Sequence, residues 1–282
     1  MRAWCGVMAC WAVVAFADPG GRLPATGGVV QVEGAGGGGL TQWALISGYG
    51  TNTEWGGAAA VTVAELDDFR LSVVAVNVGL FDTLELSLAE QRFDLQDVVP
   101  GETLRQHIAG IKWRVWGDAV FSDSPWLPQL SVAAYHKRNR DFDFIPAALG
   151  ARDDSDTELV LSASRLWFAA LAGRNLLLNV SGRYSRANQF GLLGFGGDDG
   201  NGRRWLAEAS VGVFLTDALL LGAEYRQKPD LLSAVAEQHA HGLFLAYVPN
   251  RHWALTAAWL NLGDIAGQRD QQGAYLSLQL NF

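Results

Sequence analysis

The last eleven residues of the chain, Gln272–Phe282, read QGAYLSLQLNF and indicate its fold class. Side chains of one kind occur at every second position, as in a β-strand whose two faces meet different surroundings. The apolar face consists of Ala274, Leu276, Leu278, Leu280 and Phe282. The opposite face carries Tyr275, Ser277, Gln279 and Asn281. The pattern predicts a strand between an apolar and a polar environment, which either a membrane barrel or a soluble sandwich provides.

The same division between two faces recurs along the chain. Trp205–Leu215, Leu176–Ser185 and Ala109–Trp116 each alternate apolar with polar or charged side chains. Helical periodicity is weak. After the first residues, no apolar run reaches the length of about 18 residues that a membrane-spanning helix needs. We therefore predict an all-β chain.

Twelve strands are predicted from the alternation. They cover residues 57–64, 69–80, 83–92, 103–116, 126–138, 157–168, 175–187, 204–215, 219–227, 239–248, 252–261 and 272–282. The links between them alternate between tight turns and longer polar or Gly-rich segments. Outer-membrane barrels have short periplasmic turns and long external loops. We predict an antiparallel transmembrane β-barrel of about 12 strands, with its C-terminus in the periplasm.

The N-terminus has the three parts of a secretory signal peptide. Arg2 supplies the positive charge, residues 3–16 the apolar segment, and residues 15–17 the A-x-A cleavage motif. Residues 1–17 are thus predicted to be removed, together with both cysteines of the chain, which excludes a disulfide framework. The expected location of the mature chain is the bacterial outer membrane.

Residues 18–55 differ from the rest of the chain. Gly27–Gly39 is very rich in glycine, and Leu40–Tyr49 reads as one more strand. Two extra strands in this segment would make a barrel of 14. We favour the alternative, in which residues 56–282 form 12 strands and the Gly-rich segment folds back as a plug, because glycine permits close approach of backbones.

The final strand also carries an assembly signal. Leu276, Leu278, Leu280 and Phe282 resemble the recognition strand read by the barrel assembly machinery, in which an apolar edge strand is augmented by another sheet. This machinery, outer-membrane lipids and lipopolysaccharide are the expected partners. Nucleic acid is not expected, because the formal net charge is −8 and no basic stripe offsets it.

Charged residues on the inward faces of the strands are the candidates for a transport path. The predicted lumen-lining residues are Lys112, Arg114, Arg183, Glu208, Glu224 and Arg226. In an open lumen they would set the ion selectivity. Opposite charges in a narrow barrel can instead pair and close it, and the sequence leaves both outcomes open.

Three Asp-Asp pairs fall in the predicted external links. They are Asp67-Asp68, Asp153-Asp154 and Asp198-Asp199. Such oxygen-rich pairs can bind calcium, or bridge through it to lipopolysaccharide phosphates. The simpler interpretation is solvated loop charge that keeps the surface hydrophilic. We predict no resident metal or cofactor.

The sequence shows no recognisable catalytic motif. Its serines and histidines lack the local spacing of a hydrolase, and glycines 191–202 lack the strand-turn-helix context of a nucleotide site. A rim histidine, His239 or His241, near Asp153 and Asp154 is one arrangement that would suit hydrolysis. No catalytic residue is predicted.

Several long motifs resemble a known family. They are Gly37-Gly38-Gly39-Leu40-Thr41, the run ANQFGLLGFGGD at 187–198, and Gly222-Ala223-Glu224-Tyr225-Arg226 followed by Lys228-Pro229-Asp230. Together they are similar to domain-of-unknown-function family 3034 of Gram-negative bacteria, over nearly the whole mature chain. The resemblance implies an exported, outer-membrane protein and supplies no activity, cofactor or catalytic residue.

Three functions remain open at the level of the sequence. The leading hypothesis is a passive channel or transporter for small solutes, because polar inner faces and about 12 strands leave a narrow lumen. The first alternative is a closed structural or adhesion barrel that binds a partner or lipopolysaccharide through the external loop Asn188–Arg203. The second alternative is a barrel hydrolase.

Overall fold

A computed structural model describes residues 25–122, 124 and 126–282, so the predicted signal peptide lies outside the described residues. Twelve antiparallel strands form a closed barrel. Two short strands, β1 (Val29–Val30) and β2 (Gly36–Gly37), pair with each other and precede it in the chain. No helix in the described part of the chain is long and apolar enough to cross a membrane.

Each barrel strand pairs with the strands before and after it in the chain, and the last pairs with the first. In chain order the strands are β3 (Trp55–Leu66), β4 (Arg70–Leu80), β5 (Leu84–Asp94), β6 (Thr103–Trp116), β7 (Gln129–Asn139), β8 (Ser155–Leu171), β9 (Arg174–Ser185), β10 (Arg204–Thr216), β11 (Leu219–Arg226), β12 (Ala240–Tyr247), β13 (Trp253–Asn261) and β14 (Gln272–Asn281). The predicted all-β barrel of 12 strands is confirmed, and the alternative of 14 strands is wrong.

The barrel closes at a seam between β3 and β14. The Gly57 amide donates to the Phe282 carbonyl at 2.8 Å, and the Phe282 amide donates to the Gly57 carbonyl at 3.0 Å. A Cβ atom on Gly57 would lie 2.8 Å from the Phe282 ring, so glycine leaves room for this ring. Because β14 pairs with both β13 and β3, neither of its edges is left open.

The outward side chains form an apolar belt. Leu276, Leu278 and Leu280 are 54%, 49% and 57% exposed. Tryptophans lie at both ends of the belt, with Trp116 at the end of β6 and Trp205 near the start of β10, and both are about half exposed. An apolar surface that encircles a closed barrel, flanked by aromatic side chains, matches the hydrocarbon layer of a bilayer.

The two ends of the barrel differ in the length of their links. One end has mostly short turns, such as residues 81–83, 172–173 and 217–218. At the turn between β8 and β9, both Ala172 and Gly173 have positive φ, which suits a two-residue hairpin. The other end carries the longer links 95–102, 140–154, 186–203, 227–239 and 262–271. This second end is therefore the external one, and Phe282 lies at the periplasmic end.

The chain from residue 25 to residue 50 lies inside the barrel, and every residue in this range is buried. We call this segment the plug. Its β1–β2 hairpin turns at Gly34, where φ is 93°, and the Asn77 side chain of the wall donates to the Gly34 carbonyl at 3.0 Å. The plug connects to β3 through Gly48 and Gly50, where added Cβ atoms would clash with the β3 backbone.

Two local predictions need correction. Leu40–Tyr49 is not a strand, because wall side chains bind much of its backbone, as at Leu40 and Ala44. Within the described plug, one isolated β-bridge joins this segment to Gly37, at Gln42. β7 begins at Gln129 and not at residue 126. Pro128 comes directly before β7 and has no amide proton to contribute to a strand ladder.

We predict that Leu278→Arg destabilises the barrel in a bilayer by about 2–4 kcal/mol, because it places a cation at the middle of the apolar belt. The control is Asp217→Arg, at an exposed turn residue outside the belt. Denaturant unfolding in lipid vesicles, followed by tryptophan fluorescence, measures both. Equal stability of the two variants would show that β14 does not face lipid.

Candidate functional site: the plugged lumen

The predicted lumen-lining residues point into the barrel, and the plug covers most of them. Lys112, Arg183, Glu208, Glu224 and Arg226 are all buried, and each has a plug atom or another buried charge as its partner. Arg114 differs, because it lies near the periplasmic end of β6 and remains partly exposed. Their role in conduction stays a prediction.

Glu33 of the plug is held by three cations of the wall. Lys137 Nζ lies 2.5 Å from its carboxylate, Arg226 Nη2 lies 2.6 Å from it, and Arg183 Nη1 lies 3.1 Å from it. Wall strands β7, β9 and β11 supply these cations. Such charge-assisted contacts are stronger than neutral hydrogen bonds and are expensive to leave incomplete.

Two wall carboxylates complete this group of charges. Glu158 lies 2.6 Å from Lys137 Nζ and 2.8 Å from Arg183 Nη1. Glu208 lies 2.5 Å from Arg183 Nε and 3.2 Å from Arg226 Nε. We call the set Glu33, Lys137, Glu158, Arg183, Glu208 and Arg226 the central network. It contains three anions and three cations, so its charge is balanced while the plug is in place.

A second ion pair of the wall binds the backbone of the plug. Lys112 Nζ lies 2.9 Å from the Glu85 carboxylate. Lys112 donates to the Gly36 and Leu45 carbonyls at 2.9 and 2.7 Å. Glu85 accepts from the Gly36 and Ser47 amides at 2.9 and 2.8 Å. The pair therefore satisfies backbone groups of the plug at Gly36, Leu45 and Ser47.

A third contact is the Glu224 carboxylate of β11. It accepts from the Gly39 and Leu40 amides at 2.8 Å each, and from the Thr41 hydroxyl at 2.6 Å. A Cβ atom on Gly38 would lie 2.0 Å from the Glu224 Oε1 atom. Only a residue without a side chain fits here, which explains one glycine of the Gly-rich run.

Arg114 belongs to a separate cluster. Its Nη1 atom lies 2.6 Å from Asp82 and 3.6 Å from Asp118, in the links at the periplasmic end. A pocket lined by Thr26, Leu45 and Gln129 opens beside these two aspartates. The cluster therefore lies beside the plug at the periplasmic end of the barrel.

External loops cover the other end of the plug. Phe69, Phe93, Leu193, Leu232 and Ile265 belong to one apolar cluster, which also includes Val32 and Leu40 of the plug, and each of the seven is at most 3% exposed. We call its five loop and rim residues, Phe69, Phe93, Leu193, Leu232 and Ile265, the external cap. Three external loops also meet through polar contacts, because Lys228 Nζ donates to Gln189 Oε1 and to the Leu262 carbonyl, both at 2.7 Å. The lumen is thus closed by the plug and by the cap.

The three aspartate pairs do not come together. Asp153 lies 2.7 Å from Arg186 Nη1, and Asp154 lies 3.1 Å from Arg138 Nε. Asp198 accepts from Ser233, and Asp68 accepts from Gln271 at 2.7 Å. Asp67 and Asp199 lie beside Asp68 and Asp198 in these same loops. In the described part of the chain no group of three or more metal-binding side chains occurs, and calcium binding by these pairs stays the alternative interpretation.

The rim histidines lie apart from the aspartates named with them. The His239 ring meets the Tyr225 ring edge-on, and the His241 ring meets Trp259. Both are near β12, whereas Asp153 and Asp154 precede β8, four strands away round the barrel. Because those aspartates also pair with arginines, the arrangement does not form the acid-base pair that hydrolysis would need.

Sequence reasoning missed four charges of the lumen. Lys137 and Glu158 lie on the polar faces of predicted strands, and so does Glu85, so alternation could have found them. Glu33 lies in a segment without periodicity, and its partners Lys137 and Arg226 are 104 and 193 residues away. A single sequence carries no signal of such long-range pairing.

The family model described as "Protein of unknown function (DUF3034)" matches residues 26–279. The chain belongs to this family. The match begins in the plug and ends in β14, so plug and barrel are both parts of the DUF3034 sequence. A comparison with curated protein sequences gave no match.

Solved structures share the barrel fold of the DUF3034 chain. The KdgM porin in complex with disordered oligogalacturonate matches with a TM-score of 0.50 and 8% identity, over 80% of this chain and 99% of that chain. Omp33 of Acinetobacter baumannii matches with a TM-score of 0.46 and 11% identity, over 82% of this chain and 100% of that chain. Outer membrane phospholipase A from Escherichia coli matches with a TM-score of 0.42 and 11% identity, over 83% of this chain and 93% of that chain. At 8% identity the similarity to KdgM is one of fold, that of an outer-membrane barrel.

We predict that Gly38→Val displaces the plug loop from Glu224, because its side chain would overlap the carboxylate. The Leu40 and Thr41 amides should then exchange with solvent at least tenfold faster, as lost hydrogen bonds of about 1–3 kcal/mol allow. Hydrogen exchange with mass spectrometry measures the rates. Gly202→Val is the control, because its Cβ would meet no atom within 4 Å. Unchanged exchange in Gly38→Val would contradict the Glu224 contact.

The stability of the protein should depend on pH through Glu237, which lies in the same external loop as Leu232 of the external cap. Burial raises the pKa of Glu237 to about 7 from its usual 4.5, although the nearby Lys228 acts in the opposite direction. The folded protein therefore binds this proton more tightly than the unfolded chain does. We predict that the wild type loses stability relative to Glu237→Gln as the pH rises from about 4.5 to 7, because the stabilisation by the bound proton is lost over this range. Denaturant unfolding at several pH values measures it, and a constant difference would contradict the prediction.

Proposed function

We propose that this DUF3034 chain is a gated outer-membrane channel for small solutes, closed at rest by its own N-terminal plug. The observation that carries the proposal is the polar contact between plug and wall. Charged and amide side chains of the wall hold the plug through ion pairs and through hydrogen bonds to its backbone. The leading hypothesis from the sequence, a passive open channel, becomes a channel that opens when the plug moves.

A barrel that never opens has little need of a charged interior. Burying ion pairs requires the removal of charges from water, and well-packed apolar side chains of similar volume often stabilise a protein equally or better. The inner wall carries four cations and four anions that meet the plug or its partners. They are Lys112, Lys137, Arg183, Arg226, Glu85, Glu158, Glu208 and Glu224. This surface is compatible with water as well as with the plug, as a solute path requires.

The contacts of the plug are also of a kind that water can replace. A hydrogen bond between a backbone group and a charged side chain contributes about 1.5–3 kcal/mol net, because water offers hydrogen bonds to both partners once they separate. The plug is joined to β3 at the periplasmic end through Gly48 and Gly50, and glycine permits the backbone rotations that a hinge needs. We infer that the plug leaves towards the periplasm.

The external cap supports a second candidate, a closed structural barrel. Its apolar side chains, such as Phe69, Leu193 and Leu232, are buried as completely as a protein core. A solute would have to separate these loops as well as the plug. In the structural candidate, both closures are permanent and the central network serves only to position the plug.

Single-channel recording of residues 18–282 in a planar bilayer separates the two candidates. We expect a mostly silent wild type and frequent openings in Glu33→Gln, because the central network then keeps three cations against two anions. The double variant Glu33→Gln/Lys137→Gln restores the balance and should open less often than Glu33→Gln. Glu102→Gln, the same change in an exposed external loop, is the control.

Heat-dependent migration on gels shows that each variant has folded. Openings whose ion selectivity shifts on neutralising Arg183 would place the conducting path through the central network. Folded but silent wild-type protein, single variant and double variant would refute the gated channel and favour the closed structural barrel.

A further inference from the structure

The lipid-facing wall formed by β4 to β7 contains a groove of about 600 Å³. Val74, Val76 and Leu88 line it with apolar side chains. Ala109 lies between Leu88 and His136 in the strand register. Its small side chain leaves a depression between larger neighbours. The groove lies on the outer surface, where an acyl chain can lie along the strands.

The upper part of this groove is polar. His107, His136, Arg138 and Glu90 line it, and all four project from the outer face. His107 lies four residues from the external start of β6, and His136 three residues from the external end of β7. Polar groups this near the strand ends stand at the level of lipid headgroups. The groove thus changes from apolar to polar towards the external end of the barrel, as a lipid does from its acyl chains to its headgroup.

A second pocket of about 480 Å³ lies over the external rim, directly beside the groove. Arg138 lines both. The second pocket is strongly polar and contains Arg140, Arg152 and the ring of Phe142. The two spaces therefore form one continuous surface, with an apolar part at membrane depth and a charged part above it.

Two arginines of the second pocket have no ion-pair partner within the described part of the chain. Three acids also line it, Asp143, Asp153 and Asp154. Asp153 pairs with Arg186, and Asp154 pairs with Arg138. Among residues 25–122, 124 and 126–282, no carboxylate forms an ion pair within 4.0 Å of Arg140 or Arg152. Asp143 forms no ion pair among these residues either, so the pocket keeps two guanidinium groups and one carboxylate without an ion-pair partner. The two guanidinium groups can donate hydrogen bonds to an anionic group of a ligand.

We propose that this surface binds a phosphorylated glycolipid of the outer leaflet, the lipid A portion of lipopolysaccharide. Its acyl chains lie in the groove over Ala109, and its phosphates meet Arg140 and Arg152. Guanidinium groups bind phosphate through paired hydrogen bonds, which suits them to this role. The size and polarity of the second pocket fit a sugar headgroup, whose hydroxyl groups can donate hydrogen bonds to the carboxylates. The proposal does not depend on channel activity, because no plug residue takes part.

The site should be tested on the full mature chain in nanodiscs, with bis-phosphorylated lipid A as the probe and native mass spectrometry as the readout. Dephosphorylated lipid A and phosphatidylglycerol are the comparison lipids. We expect saturable binding of lipid A and at least tenfold weaker binding of both comparison lipids. Equal binding of all three would mean that the wall only contacts bulk lipid, and would overturn the proposal.

Two variants test the two halves of the site separately. Arg140→Ala/Arg152→Ala should weaken lipid A binding about tenfold or more. Ala109→Trp should fill the groove and weaken binding without changing the charge. The controls lie on the opposite side of the barrel: Arg269→Ala, in an exposed external loop, and Ala257→Trp, on the outer face of β13.

The controls should bind lipid A as the wild type does. If one test variant does not fold, as judged by heat-dependent migration, the other decides the outcome. Wild-type affinity in a folded test variant would overturn the assignment of the part of the site that it alters. A drop in the controls equal to that in the test variants would show a general effect on the barrel, and would also overturn the proposal.

Discussion

The Glu33 carboxylate is the group on which the arrangement of the lumen depends. Lys137, Arg183 and Arg226 converge on it from three different wall strands. Two wall carboxylates alone do not balance these three cations, and an unpaired buried charge costs several kcal/mol. The plug and the wall therefore specify each other. The same charges that hold the plug also keep the inner wall polar, so closure and solute passage need not be conflicting demands on one surface.

Lipid on one side and polar groups on the other make most of this fold readable from the sequence. The alternation at Leu276, Leu278 and Leu280 follows from that division, and the twelve predicted strands agree with the structure to within a few residues at most ends. The inward orientation of Lys112 and Arg183 follows from the same period of two. Their partners do not, because alternation fixes the face of a side chain and leaves its contacts undetermined.

The plug and the external cap contain features that the sequence does not predict. Leu40–Tyr49 contains enough apolar residues to suggest a strand, but its backbone bonds to Glu224, Ser164 and other wall side chains. The external cap gathers side chains from loops far apart in the chain, such as Phe69 and Leu232. The open arginines of the outer rim, Arg140 and Arg152, stand out only when their neighbours in space are known. Each of these features depends on long-range contacts that have no local pattern.

The seam between β3 and β14 has a consequence for how the protein is made. The plug precedes the barrel strands in the chain and the closing strand follows them, so residues from the N-terminal part of the chain are enclosed by a wall that its last strand completes. The wall cannot shut until Phe282 reaches Gly57, so the barrel closes only when its last strand is in place. Closure of the wall therefore needs the complete chain, because the pairing of β14 with β3 joins its last strand to its first barrel strand. Contacts between residues so far apart in the chain form slowly, and we therefore expect the seam to form late in folding.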